Sequence, residues 1–314
     1  MDEIQEKQTR RKRKRKLRLG RVFISLLVVV ILIGGVYSIV QYNIGYKLSS
    51  NNSNNNPSEF KGDVLASGER ENILVLGVDS RGQDKARTDT MMIISWDKKE
   101  NDVKIISFMR DIYADIPGHK SYKLNTAYYL GEVQLLTETL KGMFDIPIHH
   151  YALIDFSSFE SLVDIIAPEG VPIKVEKDMS EKIGVSLTKG QQNLNGKELL
   201  GYARFRSDEE GDFGRVSRQQ IVIEALKDEM LSFQSLPNVP KFVGAMEGYI
   251  ETDYSKTDKG KRVIDAITSG KLEIDKLTIP VEGSYSFNSY SHAGSVIEID
   301  TEENKTAITK FLEK

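Results

Sequence analysis

Residues 72–78 read NILVLGV, and the chain turns polar at once with Asp79, Ser80 and Arg81. A short apolar run closed by polar residues suits a strand buried on both faces. The next apolar runs, Thr90–Trp96 (TMMIISW) and Val103–Phe108 (VKIISF), flank the turn-like DKKEND and predict a hairpin. Further on, Val133, Leu136, Leu140 and Met143 follow helical spacing, as do Phe156, Phe159, Val163 and Ile166 behind Asp155, a residue type suited to an N-cap. His149–Ile154 and Val171–Val175 read as strands. Asn195 is placed to cap a helix running through Arg204, and the longest helical pattern runs from Arg215 to about Phe233. A strand over Val296–Ile299 precedes a helix after Asp300. Strands alternating with helices around a hairpin predict an α/β domain, α+β-like in that a mixed rather than all-parallel sheet is flanked by helices. Pro237 and Pro240 do not divide it.

The 314 residues hold 43 Lys plus Arg, 46 Asp plus Glu and no cysteine, for a formal charge of −3. Without cysteine there is no disulfide framework, thiolate nucleophile or zinc–thiolate site. The four histidines, His119, His149, His150 and His292, are too few for a histidine-rich metal site. Alternation puts the His149 and His150 rings on opposite faces of a strand, so one metal does not suit both. Trp96, at a strand end, reads as packing.

The charge is unevenly spread. Residues 1–21 carry ten basic and three acidic side chains, a net of +7 that leaves −10 on the rest. Directly behind this basic tail, Val22–Val40 (VFISLLVVVILIGGVYSIV) holds 19 residues without a charge. At 1.5 Å per residue that run spans about 28 Å, close to the hydrocarbon thickness of a bilayer. Tyr37, Ile39, Tyr42 and Ile44 stand where a signal peptidase would need small residues, so the segment reads as an uncleaved signal-anchor. The Lys/Arg excess sets the N-terminus in the cytoplasm and the rest outside a single-pass protein. The organisation predicted is a basic cytoplasmic tail (1–21), a transmembrane helix (22–40), a flexible stalk (41–69) containing the polar KLSSNNSNNNPSE, and an extracellular domain (70–314). Next to an apolar span, the run RRKRKRKLR is a topological signal, and no nucleic-acid partner is expected.

The chemistry gathers in three short segments. GVDSRGQDKARTD carries Asp79, Arg81, Arg87 and Asp89; ISFMRD ends in Arg110 and Asp111; YARFRSDEEGDFGRVSRQ holds Arg204, Arg206, Asp212, Arg215, Arg218 and Gln219. Arginine's planar fork grips phosphate bidentately. If Arg215 begins its helix, it stands where backbone N–H groups already favour anions, with Gln219 one turn on and Arg218 beside it. A pyrophosphate cradle is one reading. Asp79 and Asp89 suit Mg²⁺, which takes one or two carboxylates together with phosphate oxygens. The other reading is a set of surface ion pairs, each contributing about 0–1 kcal/mol. Arg204 and Arg206 diverge by about 200° on a regular helix, so a shared ligand requires the helix to end or bend before Arg206.

NILVLGVDSR…RTDTMMII, ISFMRDIY, KLNTAY and YARFRSDEEGDFGRVSRQQ, in this order behind an anchor, resemble the LytR-CpsA-Psr family of Gram-positive envelope proteins over about residues 70–230. The resemblance implies a membrane phosphotransferase that moves a glycopolymer, such as wall teichoic acid or capsule, from a polyprenyl-pyrophosphate carrier to a peptidoglycan hydroxyl in cell-wall biogenesis. It implies Mg²⁺ on Asp79 and Asp89, and pyrophosphate contacts from Arg87, Arg110, Arg204, Arg206, Arg215 and Gln219. Among the catalytic candidates Asp89, Asp111 and Arg110, Asp111 serves as base or as orienter of Arg110. It also implies a lipid tunnel that apolar residues between 90 and 166 would line, although each of them reads first as core. Many relatives have proline where Met109 stands. Arg81, Lys123, Asn125 and Arg218 are secondary candidates: Lys123 lies near the phosphates, and Asn125 reads as a helix cap. Pyrophosphatase side activity, with water as acceptor, is compatible with the same site. The rival is a non-catalytic polyprenyl-pyrophosphate carrier, sensor or attenuator.

Overall fold

The computed structural model describes residues 19–50, 59–79, 88–100, 102–268 and 273–313. The chain divides into two compact units, Met1–Val40 and Gln41–Lys314. Helix α1, Leu19–Ser49, supplies the described part of the first unit and continues into the second. Its stretch from Phe23 onward is long and apolar enough to cross a membrane. Phe23, Ile31, Leu32 and Ile33 are all exposed, which suits a lipid surround.

In chain order the second unit continues with β1 (Glu71–Val78), β2 (Thr88–Asp97), β3 (Asp102–Phe108), β4 (Tyr113–Ala114), β5 (Tyr122–Lys123), α2 (Leu124–Phe144), β6 (His150–Asp155), α3 (Phe156–Ile166), β7 (Val171–Val175), β8 (Gly190–Leu194), α4 (Gly196–Arg204), α5 (Gly211–Leu231), α6 (Val239–Tyr249), β9 (Ile250–Thr252), α7 (Lys256–Thr268), β10 (Glu273–Ile279), β11 (Tyr285–Tyr290), β12 (Gly294–Ile299) and α8 (Thr301–Glu313). Six strands form one sheet in the order β10-β3-β2-β1-β6-β9. The β1–β2, β2–β3 and β6–β9 pairs are antiparallel, whereas β1–β6 and β3–β10 are parallel. The sheet is mixed, as the hairpin requires.

Leu74, Leu76, Ile93 and Ile106 from the sheet pack with Val133, Leu136 and Leu140 of α2 and Ile308 of α8. Burying each such side chain stabilises the fold by about 1.5–3 kcal/mol. A second cluster joins α3, α4 and α5 to the β7–β8 ribbon through Val163, Ile173, Leu199 and Val222. Local capping fixes two of these helices. Asp155 accepts from the N–H groups of Ser157 and Ser158, and Asn195 forms a reciprocal capping box with Glu198.

Three expectations change. The helix anticipated around Val133–Met143 begins at Leu124 and is interrupted at Gly131 and Glu132, whose dihedrals leave the helical region. Its N-cap is Lys123, so Asn125 is not the cap but the second helical residue, with its N–H donating to Arg110 O at 3.2 Å. The helix expected to begin at Arg215 starts at Gly211, so Arg215 stands one turn inside it rather than at its first turn. The third change concerns 41–69, read as a flexible stalk. Residues 41–49 are helical, and Tyr249 on α6 donates its hydroxyl to Leu48 O at 3.2 Å. The Asp63 carboxylate takes Lys141 at 2.5 Å and the Ile148 N–H at 2.8 Å, and Phe60 packs edge-on against Tyr151. Residues 51–58 lie outside the described residues.

Glycines set the close approach of residues 41–49 to α6. A Cβ on Gly244 would stand 2.1 Å from Tyr42 O, and one on Gly45 would stand 1.9 Å from Lys241 O. Gly244→Val therefore forces the two backbones apart. The expected outcome is a loss of about 1–3 kcal/mol, with faster hydrogen exchange across residues 42–49. Unchanged exchange there would show that the contact carries no stability.

Candidate functional site

Sheet topology brings the sequence candidates to one edge. β1 ends at that edge, antiparallel β2 begins there, β3 returns to it, and parallel β6 ends there, with Val78 opposite both Thr88 and Asp155. Asp79, Asp89, Arg110 and Phe156 are therefore neighbours although they span 78 positions of chain. Carboxyl ends of strands are the usual place for a ligand in sheets of this kind. Helix α5 is pinned over the same edge, because Gln220 donates from its side-chain amide to Ser107 Oγ at 2.9 Å and to Thr278 Oγ1 at 3.2 Å. Met109 lies in the approach to Arg110, and its N–H donates to Ile279 O at 2.9 Å, a bond a proline could not make.

The resulting cleft, about 220 Å³, is lined by Asp89, Thr90, Arg110, Phe156, Glu181, Lys182, Arg204, Arg206, Arg215 and Gln219. α4 ends at Arg204, and Phe205 is extended with φ −62 and ψ 132. That break turns Arg206 onto the same cleft as Arg204, the geometry a shared ligand requires. The Arg204 guanidinium lies 4.5 Å from the centre of the Phe156 ring and 3.7 Å from Asp79 Oδ2.

Asp212, in the first turn of α5, is the hub. Its carboxylate lies 3.3 Å from Arg110 Nε, 3.1 Å from Arg215 Nη2 and 3.9 Å from Arg206 Nη1. Arg110 also meets Asp89 at 2.6 Å and Asp111 at 3.7 Å, and Lys123 Nζ sits 3.0 Å from Asp111 Oδ1. Burial opposes the charge on Arg110, but Asp212, Asp89 and Asp111 outweigh it and raise its pKa. For Arg215 burial wins and Arg110 and Arg206 add to it against the pull of Asp212 and Asp89, so its pKa falls below the usual arginine value. Among the described residues, the Nε–H groups of Arg110 and Arg215 are buried without a hydrogen-bond partner. Arg110 Nε has only its ion-pair contacts with Asp212 and Asp111 among the described residues, and a buried cation whose donors lack hydrogen bonds is costly and suits an incoming anion.

Gln219 lines the cleft, one turn after Arg215. Arg218 is directed elsewhere. It is 1 % exposed, and its guanidinium donates to Glu176 at 2.7 Å, to Phe205 O at 3.0 Å and to Asp208. It thus clamps the loop that carries Arg206. Arg81 and Arg87 lie outside the described residues. The sequence placed Asp212 in its motif without a role, and Phe156, Thr90 and Lys182 were not read as site residues. The acid in a helix's first turn is an ordinary partner of the helix dipole, and Lys182 (φ 61) projects from the connection between β7 and β8 with no local signal.

The chain is 43% identical over 280 residues to Regulatory protein MsrR of Staphylococcus aureus (strain COL), covering 89% of this chain and 85% of that protein. It is 32% identical over 248 residues to Polyisoprenyl-teichoic acid–peptidoglycan teichoic acid transferase TagU of Bacillus anthracis (strain CDC 684 / NRRL 3495), covering 74% and 78%. Its fold is similar to that of B. subtilis TagV, with TM-score 0.65, 26% identity, and 79% of this chain and 99% of that one covered. It is also similar to TagT bound to LIIa-WTA, with TM-score 0.64, 25% identity, and 82% and 97% covered. The model of the LytR_cpsA_psr family matches residues 36–309, and with the mixed sheet and its arginine-lined edge in place, the chain belongs to that family.

Proposed function

We propose that this chain is a membrane-anchored phosphotransferase that moves a glycopolymer from a polyprenyl-pyrophosphate carrier to a peptidoglycan hydroxyl outside the cell. The convergence of Arg110, Arg204, Arg206 and Arg215 on one cleft, with the buried Nε–H groups of Arg110 and Arg215 making no hydrogen bond among the described residues, carries this reading. The basic tail ahead of the apolar helix supports an N-terminus inside the cell. The acceptor hydroxyl attacks the phosphorus nearer the glycan. An O–P bond forms, the bond from that phosphorus to the bridging oxygen breaks, and polyprenyl phosphate leaves with the electron pair. The four guanidinium groups hold the non-bridging oxygens and favour the charge that develops on the leaving phosphate.

Asp111 takes the hydroxyl's proton. Of the two candidate carboxylates Asp89 is the poorer base, because Arg110 holds it at 2.6 Å and it faces the Mg²⁺ position, whereas Asp111 meets Lys123 at 3.0 Å and Arg110 only at 3.7 Å. Asp89 also belongs with Asp79 to the edge where β1 ends and β2 begins. Two carboxylates facing a phosphate cradle fit Mg²⁺, whose remaining ligands are phosphate oxygens and water. Bound there, Mg²⁺ would neutralise phosphate charge. Water in place of the sugar hydroxyl gives pyrophosphatase side activity. The name of the staphylococcal relative, a regulatory protein, favours one other reading, in which the cradle holds lipid pyrophosphate without turnover.

Donor turnover decides between them. Arg204→Lys and Arg206→Lys keep the charge and lose the fork, so each is expected to lower transfer by about tenfold or more, and alanine by about 100- to 1,000-fold. The double change should cost less than the sum, because the pair grips one group. Melting temperatures should hardly move, since Arg206 is half-exposed and Arg204 partly so. Near-normal transfer in both lysine variants would remove the pair from the site, and wild-type protein that binds the donor without turnover would establish the binding reading.

A further inference from the structure

Beyond the phosphate cleft, residues 111–116 alternate with a period of two. Ile112, Ala114 and Ile116 are buried, whereas Asp111, Tyr113 and Asp115 face outward. At 3.3 Å per residue this outward row extends about 13 Å, the length of a short oligosaccharide. β5 pairs with it, placing Lys123 opposite Tyr113. Lys123 reaches Asp111 at 3.0 Å, and at the far end the Ser121 hydroxyl donates to Asp115. The β11–β12 hairpin closes the flank. Tyr290 stacks on Tyr113 with centroids 4.7 Å apart, and His292 stands edge-on to Tyr113 and Tyr122 with Nε2 3.1 Å from Ser121 O. The hairpin is tied to the candidate base itself, because the Ile297 N–H donates to Asp111 O at 2.9 Å. Tyr113, Asp115 and Ser121 line a cleft of about 440 Å³ with Met143 of α2 and Thr301 of α8.

We propose that the row Asp111–Tyr113–Asp115, with Ser121, Tyr290 and His292, is the subsite for the acceptor: an uncharged sugar chain whose reacting hydroxyl lies at Asp111. Aromatic rings receive the C–H faces of pyranoses, and carboxylate and hydroxyl groups receive their hydroxyls. Charge selects the acceptor rather than the donor polymer. Asp115 lines this cleft, Glu298 is bonded to Tyr290, and Thr301, which also lines it, is flanked in sequence by Asp300, Glu302 and Glu303, which line a second cleft together with Lys310. These acids repel a polyphosphate chain and admit a neutral one. Position agrees, because the base must touch the attacking hydroxyl, and only the chain that carries that hydroxyl starts at Asp111. The assignment rests on the phosphotransfer reading of the neighbouring cleft.

The test uses the full chain in detergent micelles and three probes: a β-1,4-linked N-acetylglucosamine tetrasaccharide, geranylgeranyl pyrophosphate and a glycerol-phosphate oligomer. Binding is measured for wild type, Tyr290→Ala, Asp115→Asn and the milder, exposed His292→Ala, each checked for an unchanged melting transition. Wild type should bind the tetrasaccharide, and Tyr290→Ala should weaken it by about tenfold while leaving geranylgeranyl pyrophosphate affinity unchanged. In turnover, the same variants should raise the acceptor KM and leave the donor KM alone. A tetrasaccharide affinity indifferent to all three substitutions overturns the subsite. Glycerol-phosphate oligomer binding that depends on Tyr290 overturns the acceptor assignment in favour of the donor polymer. Wild type that ignores geranylgeranyl pyrophosphate overturns the phosphotransfer reading and the acceptor assignment together, whereas pyrophosphate binding without Tyr290-dependent sugar binding overturns the subsite alone.

Discussion

Arg215→Met is expected to lower transfer by about 100- to 1,000-fold while the melting temperature stays level or rises. Arg215 is 4 % exposed, and its Nε–H has no partner among the described residues. Burial, reinforced by Arg110 and Arg206, holds its pKa below the ordinary value, so the folded chain is a poorer host for this cation than water is. A methionine of similar volume removes that cost, and exchanging a buried charge for an apolar side chain is commonly neutral or stabilising. Asp212 is not orphaned by the change, because Arg110 remains 3.3 Å away and Arg206 3.9 Å away. Function loses what stability gains, the usual relation at a site kept ready for an absent anion. Turnover and melting temperature measured on the same preparation decide it. A fall of several degrees would make Arg215 a structural anchor and would leave the cradle to Arg110, Arg204 and Arg206.

The opposite outcome is expected three residues along. Arg218→Met should cost about 3 kcal/mol and lower the melting temperature by roughly 6–12 °C. Its guanidinium is enclosed by Glu176, Asp208 and Phe205 O, and removing it leaves the nearly buried Asp208 carboxylate with Lys177 at 3.1 Å. Acid should reveal the same clamp. Burial would raise the Asp208 carboxyl, but hydrogen bonds from Lys177 and Arg218 overcome it and hold the pKa below the usual range. A depressed carboxyl stabilises the fold above its unfolded value of about 4, and that contribution disappears as pH falls through the folded value. Wild type should therefore lose stability below about pH 4, and Arg218→Met should show a shallower acid limb. Denaturant unfolding across pH 2–6 measures both, with the pH range set by the carboxylate values involved. An unchanged melting temperature would mean that the Phe205–Glu210 loop is held by its other contacts. Transfer should fall as well, because Arg206 sits on the loop that Arg218 clamps.

These two arginines mark the division between what the sequence determined and what the tertiary structure decided. The strand at NILVLGV, the hairpin after it, the caps at Asp155 and Asn195 and the apolar anchor were legible because each depends on residues within a few positions, where periodicity and capping act. The break after Arg204 was also legible, as a condition for Arg204 and Arg206 to share a ligand. The segment 41–69 was not, because its helix end and its contacts at Asp63 depend on α6, α2 and Ile148, far along the chain. Nor was the hub role of Asp212, an acid that any helix start would tolerate. Arg215 and Arg218 lie in one motif, 60° apart on one helix, and nothing local separates them. The fold separates them by what it sets opposite each: Glu176, 42 positions upstream, faces Arg218, and the sheet edge with Arg110 and Asp89 faces Arg215. A guanidinium's role is fixed by the carboxylates and cations that surround it in space, and only the packed chain supplies those neighbours.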